Sequence, residues 1–358
     1  MGNSYLGVKS ILDSLEIPVI LPALNNKKTL DIGCRLSPEE ICLPFKLMLG
    51  NIIEGIEKGA DTVILVGSSG PCRLGEYCEL QMDIINQLGY KVDFIVIDSP
   101  EEIGKKEFFN RISRISSKSK KSAMKKLIAL KDGGKIIKLI EELEAEAKLL
   151  SGYALNPKEC VDIIKKCKFD LIKLNNSKAI IQMIKIYKGN LRKLKLDKNK
   201  NPIKISIIGE IYTIIEPFSN INVEERLMLQ GVSVLRRITP NWWLKDTLLK
   251  PFKLNSLDII KAAKKYIPYS IGGFAKECIG EAVQAANNNF DGAIQIFPMG
   301  CMPEIVSKSI LPTVSRDLNL PVMSLVMDEI TGDAGYITRI EAFLDLLERR
   351  RRNVLYGN

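Results

Sequence analysis

Short β-branched runs recur near both ends of the chain and alternate with amphipathic helical patterns. The runs lie at 17–23, 61–67, 92–98, 203–214, 231–238, 292–299 and 321–329. Strands that are apolar throughout and are separated by helices are typical of parallel sheets covered by helices on both faces. The sequence therefore predicts an α/β fold with two Rossmann-like lobes.

The chain between the two sets of runs has a different charge. Residues 101–200 contain 26 Lys and Arg against 12 Asp and Glu, so the rest of the chain contains 26 against 30. Apolar residues recur there at helical spacing. We therefore expect three parts: an N-terminal α/β lobe at 1–100, a basic, Lys-rich helical insertion at 101–202 and a C-terminal α/β lobe at 203–358.

Composition excludes several classes of protein. No apolar stretch is long enough to cross a membrane, and the first residues lack the features of a signal peptide, so we expect a cytoplasmic protein. Few aromatic residues lie among the lysines, and no nucleic-acid motif is present. We therefore expect neither a membrane nor a nucleic acid as partner, and eight cysteines that do not form disulfides.

Three cysteines lie where ligands bind in parallel α/β proteins, at turns from strand to helix or at helix starts. Cys72 follows the run 61–67, and Cys301 follows the run 292–299. Cys42 lies in the first turn of a helix predicted to start at Ser37 and to be interrupted by Pro44. At a helix N-terminus the helix dipole favours the thiolate, which is the form of cysteine that binds metal.

The kind of metal centre is limited by what the chain lacks. It contains no histidine and no CxxC pair, which argues against zinc and against Cys/His sites. Three separated thiolates that converge between two lobes suit an iron–sulfur cluster with one iron left open. An open iron indicates chemistry at the cluster.

Three motifs resemble a known family. They are CLPFK at 42–46, GPCR-x-G at 70–75 and P-x-GCMPE at 298–304, in that order. Together with their flanking sequence, roughly three-fifths of the chain, they resemble the 2-hydroxyacyl-CoA dehydratase superfamily, which includes the benzoyl-CoA reductases and the double-cubane cluster proteins. The nearest likeness is to its stand-alone branch related to acyl-CoA dehydratase activases.

The resemblance implies a cofactor, partners and a class of reaction. Cys42, Cys72 and Cys301 would bind an oxygen-sensitive 4Fe–4S cluster. An ATP-dependent activase of the actin/Hsp70-like fold, with its own cluster, would supply low-potential electrons under anaerobic conditions. The reaction would be reduction or radical dehydration of a small molecule or an acyl-CoA, in a homodimer or in a heterodimer with a related subunit. The alternative is a non-catalytic electron relay or cluster maturation scaffold, docked on an acidic partner through the basic insertion.

The number of cysteines leaves a second cofactor open. A double-cubane cluster would need further ligands, for which the chain offers Cys34, Cys78 and Cys278. The spacing argues against Cys78. If Cys72 and Cys78 lie on one helix, six residues separate their side chains by about 240° around the helix axis, so the two thiols do not face the same site. The single cluster is therefore the first hypothesis and the double cubane the second.

Other residues near the three cysteines are candidates for catalysis. Glu304 is the leading proton donor, with a purely helix-stabilising role as the alternative. Lys46 and Arg73 follow their cysteines closely and could balance cluster charge or bind an anionic group.

Weaker candidates follow from position alone. Asp328 and Glu329 end the last run, and glycines at 70, 272, 273 and 300 could let a ligand approach the backbone. Members of the resembled family carry a short strand before the Met-Gly-Asn with which this chain begins. We expect that the start has been placed too late.

Overall fold

The structure, a computed structural model, has two parallel sheets flanked by helices. It describes residues 2–67, 72–98, 103–249, 254–330 and 332–356. Among these residues, no helix has both the length and the apolar composition needed to cross a membrane.

The N-terminal sheet consists of two strands. Strand β1 (Thr62–Val66) pairs in parallel with β2 (Asp93–Ile97). Helix α1 (Ser4–Ser14) packs on the middle segment at Ile137, whereas α2 (Lys27–Leu36), α3 (Leu43–Glu57) and α4 (Tyr77–Gln87) share an apolar cluster with β1. The prediction of a strand at 17–23 is wrong, because that segment is irregular. Pro18 and Pro22 explain this, since neither can donate a backbone hydrogen bond to a neighbouring strand.

Four helices form the basic middle segment. They are α5 (Lys105–Ser117), α6 (Ala123–Leu150), α7 (Pro157–Ile172) and α8 (Ser177–Leu191). The inner face of α6 is fully buried at Ile140 and Leu143, in the same apolar cluster as Ile205 and Val234 of the C-terminal sheet. The middle segment is therefore packed into a core that it shares with the C-terminal sheet, while its lysines are carried mainly on the outer surface.

Buried charges reinforce this contact. Glu224 accepts from Lys148 of α6 at 2.6 Å and from Arg236 at 2.9 Å. Glu144 of α6 pairs with Lys168 of α7 at 2.5 Å, and these cations hold the pKa of Glu144 down at about 2 although burial alone would raise it. Such a network is costly to break, because each group left behind would be a buried unpaired charge.

The C-terminal sheet has four parallel strands in the order β4-β3-β5-β6. These are β3 (Lys204–Gly209), β4 (Ser233–Leu235), β5 (Gly292–Pro298) and β6 (Val322–Met327). Helices α9 (Ile211–Ile215), α10 (Val223–Leu229), α11 (Pro240–Leu249), α12 (Leu257–Ala263), α13 (Ala275–Asn287), α14 (Met302–Asp317) and α15 (Asp333–Tyr356) complete it. Strand β4, which follows β3 in sequence, pairs with one edge of β3, and the next strand, β5, pairs with the opposite edge. The carboxyl ends of β3 and β5 thus form a topological switch point, the usual place for a ligand in such sheets.

The end of β3 differs from the sequence prediction. The run 203–214 was expected to be one strand, but it turns into helix α9 after Gly209. Gly209 has φ of +128°, and a Cβ atom there would lie 2.1 Å from the carbonyl oxygen of Ile296. Glu210 then caps α9 by accepting hydrogen bonds from the backbone N–H groups of Tyr212 and Thr213, both at 2.8 Å. The turn brings Glu210 to the switch point.

Two glycines allow α2 and α3 to pack with their backbones in contact. A Cβ atom on Gly33 would lie 1.8 Å from the carbonyl oxygen of Lys46, and one on Gly50 would lie 2.0 Å from the carbonyl oxygen of Thr29. These are backbone atoms, so the clash could be relieved only by moving a helix. The contact fixes the start of α3 against α2.

We expect Gly33→Ala to lower the free energy of unfolding by about 1–3 kcal/mol, because the helices must separate to admit the methyl group. Gly55→Ala is the matched control in the same helix pair: nothing lies within 4 Å of a Cβ atom there. It should raise the free energy of unfolding by about 0.5–1 kcal/mol through helix propensity. Urea unfolding of both variants measures the difference, and equal values for the two would contradict this account of the helix packing.

Candidate functional site

Cys42, Cys72 and Cys301 line one cavity of about 530 Å³. Cys42 begins helix α3, Cys72 follows the N-terminal sheet, and Cys301 follows strand β5 of the C-terminal sheet. The structure therefore brings together the three cysteines that were singled out from the sequence. The cavity lies at the switch point of the C-terminal sheet, with Glu210 and Pro298 in its lining.

Cys42 is the N-cap residue of α3 and is followed by Pro44 in the first turn. The prediction that this helix starts at Ser37 is wrong: residues 37–42 are not helical, and the Ser37 hydroxyl bonds back to the carbonyl of Gly33 in α2. The helix begins at Leu43 because Pro44 fits the first turn without loss of a hydrogen bond. The half-buried Cys42 thiol is hydrogen-bonded to the hydroxyl of Tyr77.

Cys72 is also half-buried and lies directly before a short 3₁₀ turn at Arg73–Glu76. Its carbonyl accepts a hydrogen bond from the N–H of Gly75 at 3.1 Å. Gly70, which was expected to give a ligand access to the backbone, lies outside the described residues. Cys72 and Cys301 line the same cavity, and charge on Cys72 contributes to raising the pKa of Cys301.

Cys301 is the N-cap residue of α14, but its protonation differs from the sequence prediction. Burial, reinforced by the Glu210 and Glu304 carboxyls, raises the pKa of the Cys301 thiol far above its ordinary value. A hydrogen bond from the backbone N–H of Glu304 opposes the shift only in part. The expectation that the helix N-terminus lowers this pKa is therefore wrong, because desolvation outweighs the helix dipole. Without metal, Cys301 is a thiol.

The other five cysteines do not line the cavity. Cys34 is half-buried in α2, where burial raises its pKa. Cys78 is buried in α4 and donates a weak hydrogen bond to the carbonyl of Val66. Cys278 is fully buried in α13 against Glu304. The three additional ligands considered for a double cubane are thus not brought into the cavity with the first three. Cys160 and Cys167 are buried in the middle segment.

The chemistry of the donor set can be compared with that of a metal centre. Among the described residues, no three or more Cys, Asp or Glu side chains are grouped closely enough to hold a metal ion. The cavity lining includes three thiols from separate parts of the chain. Cysteine sulfur is the usual protein ligand of iron–sulfur clusters, so the donor type in the cavity is compatible with such a group.

Glu304 lies in the first turn of α14 and is completely buried. The amide of Gln295 in β5 donates to its Oε2 atom at 2.8 Å and to its carbonyl oxygen at 3.0 Å. The Cys278 thiol of α13 is a further hydrogen-bond partner of this carboxyl. Burial raises the pKa of Glu304 to about 7. A buried carboxyl beside a cavity can hold a proton and release it near neutral pH.

Lys46 lies in the first turns of α3, is buried and does not line the cavity. Its ammonium group donates to the carbonyl of Glu39 at 3.0 Å and forms an ion pair with Glu329, just beyond the end of β6. The pair joins the N-terminal helices to the C-terminal sheet close to the cysteines. The side chain of Arg73 lies outside the described residues. Asp328 accepts from the N–H of Ile330 and is not part of the cavity lining.

Glycines frame one side of the cavity, as the sequence suggested. Gly272, Gly273 and Gly300 all line it and all have positive φ. A Cβ atom on Gly273 would lie 2.5 Å from Cγ of Pro303, so this position holds the loop against the start of α14. Their small size leaves backbone atoms next to the cavity.

Sequence reasoning missed several residues of the lining. They are Tyr77, Glu210, Trp243, Asp246, Phe274 and Glu277. Glu210 could have been found, because it follows the apolar run of β3 as Cys301 follows that of β5. Trp243 and Phe274 come from helix and loop segments whose placement depends on tertiary packing, so no local pattern marks them.

Comparison with known proteins adds no family. No protein-family model matches the chain, and no curated protein matches it significantly.

A second buried carboxyl lies beside the site, on α13. Glu281 is almost completely buried, and both of its carboxylate oxygens lack a hydrogen-bond partner among the described residues. Burial raises its pKa to about 8, against the opposing charges of Arg237 and Arg236; Glu277 on the same helix and Glu304 on α14 raise it further. Folding therefore favours the protonated form of this side chain.

We expect this carboxyl to make the protein less stable as pH rises. The folded pKa lies above the unfolded value, so the stabilisation is complete below about pH 4.5 and is lost progressively up to about pH 8. Glu281→Gln should remove that loss, on the order of 2–4 kcal/mol in the free energy of unfolding between pH 5 and pH 8. Urea unfolding at both pH values measures it, with Glu57→Gln on the exposed face of α3 as control. A pH dependence that is the same in wild type and Glu281→Gln would show that Glu281 is not the group responsible.

Proposed function

We propose that the cavity binds a 4Fe–4S cluster through Cys42, Cys72 and Cys301, with one iron left open to a substrate. The proposal is carried by one observation: three cysteines distant in the sequence line a single cavity, and the other cysteines do not. We also propose that each sheet with its helices is a Rossmann-like lobe. The basic segment at 101–202 then lies between them in sequence.

The residues around the cavity have distinct tasks in this proposal. When bound, the cluster supplies low-potential electrons and an open coordination position. The hydroxyl of Tyr77 holds the Cys42 sulfur, and the backbone N–H of Glu304 holds that of Cys301. Such hydrogen bonds to ligand sulfur tune the potential of a cluster. Trp243 and Phe274 add apolar surface to the lining of the cavity.

Glu304 is our candidate for the proton that accompanies reduction or dehydration. Its carboxyl is buried beside Cys301, and its Oε2 atom is oriented by Gln295, which is itself held by the hydroxyl of Ser324 at 2.7 Å. The Oε1 atom can carry a proton without breaking the hydrogen bond from Gln295 to Oε2. A general acid must be held in position so that its proton lies within reach of the reacting group.

We propose that the protein is an iron–sulfur reductase or dehydratase component in the cytoplasm. An ATP-dependent activase with its own cluster would supply its electrons, and the protein would work as a dimer. A single cluster is preferred over a double cubane, because Cys34, Cys78 and Cys278 do not line the cavity.

We expect Cys301→Ala to lose most of the iron that the wild-type protein holds after anoxic reconstitution. Cys160→Ala is the matched control, since Cys160 is also buried but lies in the core of the middle segment. It should retain about four irons and four sulfides per chain, as should the wild type. Iron and sulfide quantitation measures the content, and circular dichroism checks that both variants are folded.

The same samples separate the alternatives. About eight irons per wild-type chain would contradict the single cluster in favour of the double cubane. Equal iron in Cys301→Ala and Cys160→Ala would contradict the site itself. Transfer of an intact cluster to an acceptor protein, with no activase-dependent turnover, would contradict the enzyme in favour of a relay or maturation scaffold.

A further inference from the structure

The net charge of the protein is concentrated in one short segment. Residues 103–138, which include α5 and the N-terminal part of α6, contain 12 Lys and Arg against 2 Asp and Glu. The whole chain contains 52 Lys and Arg against 42 Asp and Glu, so the rest of it contains 40 of each. The entire formal charge of +10 therefore belongs to this segment. Positive charge gathered in this way attracts anionic surfaces.

The start of α6 also carries an exposed apolar face. Met124, Leu127 and Ile128 are 66%, 63% and 49% exposed, and their spacing of three and four residues places them on one stripe of the helix. Leu130, beside Leu127, is 51% exposed. The other side of α6 is packed in the core, where Ile136 is fully buried. Apolar side chains that are grouped and open to water indicate an interaction surface.

Lysines adjoin this apolar face. Lys131 lies one turn beyond Leu127 on the same stripe, Lys135 continues the stripe, and Lys125 follows Met124. All three lysines are exposed, and none of them forms an ion pair within the part of the chain that the structure describes. We call the four apolar residues and these three lysines the basic-apolar surface.

The type of cation on this surface indicates the kind of partner. Both arginines of the segment are used inside the protein, since Arg111 pairs with Asp98 at 2.7 Å and Arg114 with Asp93 at 2.5 Å. Interfaces between proteins are enriched in Arg and aromatic residues and depleted in Lys. The basic-apolar surface has neither Arg nor an aromatic residue. Lysine suits a lipid surface, because its stem lies along apolar groups while its ammonium group reaches the headgroups.

The basic-apolar surface lies away from the cavity that holds the three cysteines. Lys126 of α6 donates to the carbonyl of Ser116 at 2.7 Å, which ties the start of α6 to the end of α5. Directly after α5, Lys118 donates to the hydroxyl of Thr62 at 2.9 Å. Thr62 begins β1, whereas Cys72 follows the carboxyl end of that strand. An occupant of the surface therefore leaves the cavity accessible, and the inference does not rest on the proposed function.

We propose that the basic-apolar surface binds the surface of an anionic lipid bilayer. The apolar side chains would enter the boundary between headgroups and acyl chains, and the lysines would contact the anionic headgroups. This is a peripheral contact. The expectation of no membrane partner was based on the absence of a stretch that could cross a bilayer, and a contact with the bilayer surface needs none.

The test measures binding of the full-length protein to two kinds of vesicle. One is phosphatidylcholine alone, and the other is phosphatidylcholine with about one third phosphatidylserine. Vesicle flotation at increasing lipid concentration gives the two affinities. We expect the anionic vesicles to bind at least about tenfold more tightly, and added salt to weaken that binding. Equal affinity for the two kinds of vesicle, or binding to neither, would overturn the proposal.

A leucine variant tests the apolar part of the surface. Leu127→Gln should weaken binding to the anionic vesicles about tenfold, because one apolar side chain no longer leaves water. Leu346→Gln is the matched control, since Leu346 is also exposed on a helix, α15, outside the basic segment. It should bind as the wild type does. The same affinity in both variants would overturn the insertion of apolar side chains, and circular dichroism checks that both are folded.

A lysine pair tests the charge. Lys131→Gln with Lys135→Gln should weaken binding to the anionic vesicles at least about tenfold and reduce its dependence on salt. Lys178→Gln with Lys185→Gln removes the same charge from the exposed side of α8 and should leave binding unchanged. Equal losses in the two pairs would show that net charge alone is responsible and would overturn the site.

Poly-glutamate separates a membrane from an acidic protein as the partner. It is a soluble polyanion that offers negative charge without a lipid surface. We expect it to bind more weakly than the anionic vesicles and to bind wild type and Leu127→Gln equally. Tighter binding of poly-glutamate than of the anionic vesicles would overturn the membrane in favour of an acidic protein.

Discussion

Parallel pairing of β3 with β5 is the constraint on which the rest of the site depends. It brings the carboxyl ends of two strands side by side, and Gly209 is at the end of one and Pro298 at the end of the other. The N–H of Glu210 donates to the carbonyl of Ile296 at 3.0 Å, which fixes the turn out of β3 against β5. Glu210 and Cys301 can face one cavity only because both strands run in the same direction.

The fold was predictable where local pattern and tertiary environment agree. Six of the seven apolar runs contain strands, and all pairs of strands are parallel. The run 17–23 failed because apolar composition outweighed Pro18 and Pro22 in the prediction. The run 203–214 failed in its second half because a buried helix of five residues has no visible period. The packing of α6 against the C-terminal sheet was not predictable, since it depends on contacts far apart in the sequence.

The site was predictable in its cysteines and much less so in its electrostatics. Position after a strand was enough to select Cys72 and Cys301, because parallel topology gathers such ends. Cys42 was selected by its position at the start of a helix. The protonation of Cys301 was not predictable, because its pKa depends on burial and on Glu210, which lies 91 positions earlier in the sequence. Lys46 illustrates the same limit. Its closeness to Cys42 in the sequence suggested a role at the cluster. In the structure it forms a buried ion pair with Glu329, which is distant in the sequence and could not be predicted from it.

The environment of Cys301 links its protonation to the proposed cofactor. Burial first, and the Glu210 and Glu304 carboxyls second, disfavour a thiolate at Cys301 in the protein without metal. A metal centre would bind the thiolate and not the thiol, so binding of the proposed cluster would have to release the proton of Cys301. Positive charge from iron would then offset the cost of a buried thiolate. The same burial that makes Cys301 a poor thiolate on its own would therefore make its deprotonation depend on the metal.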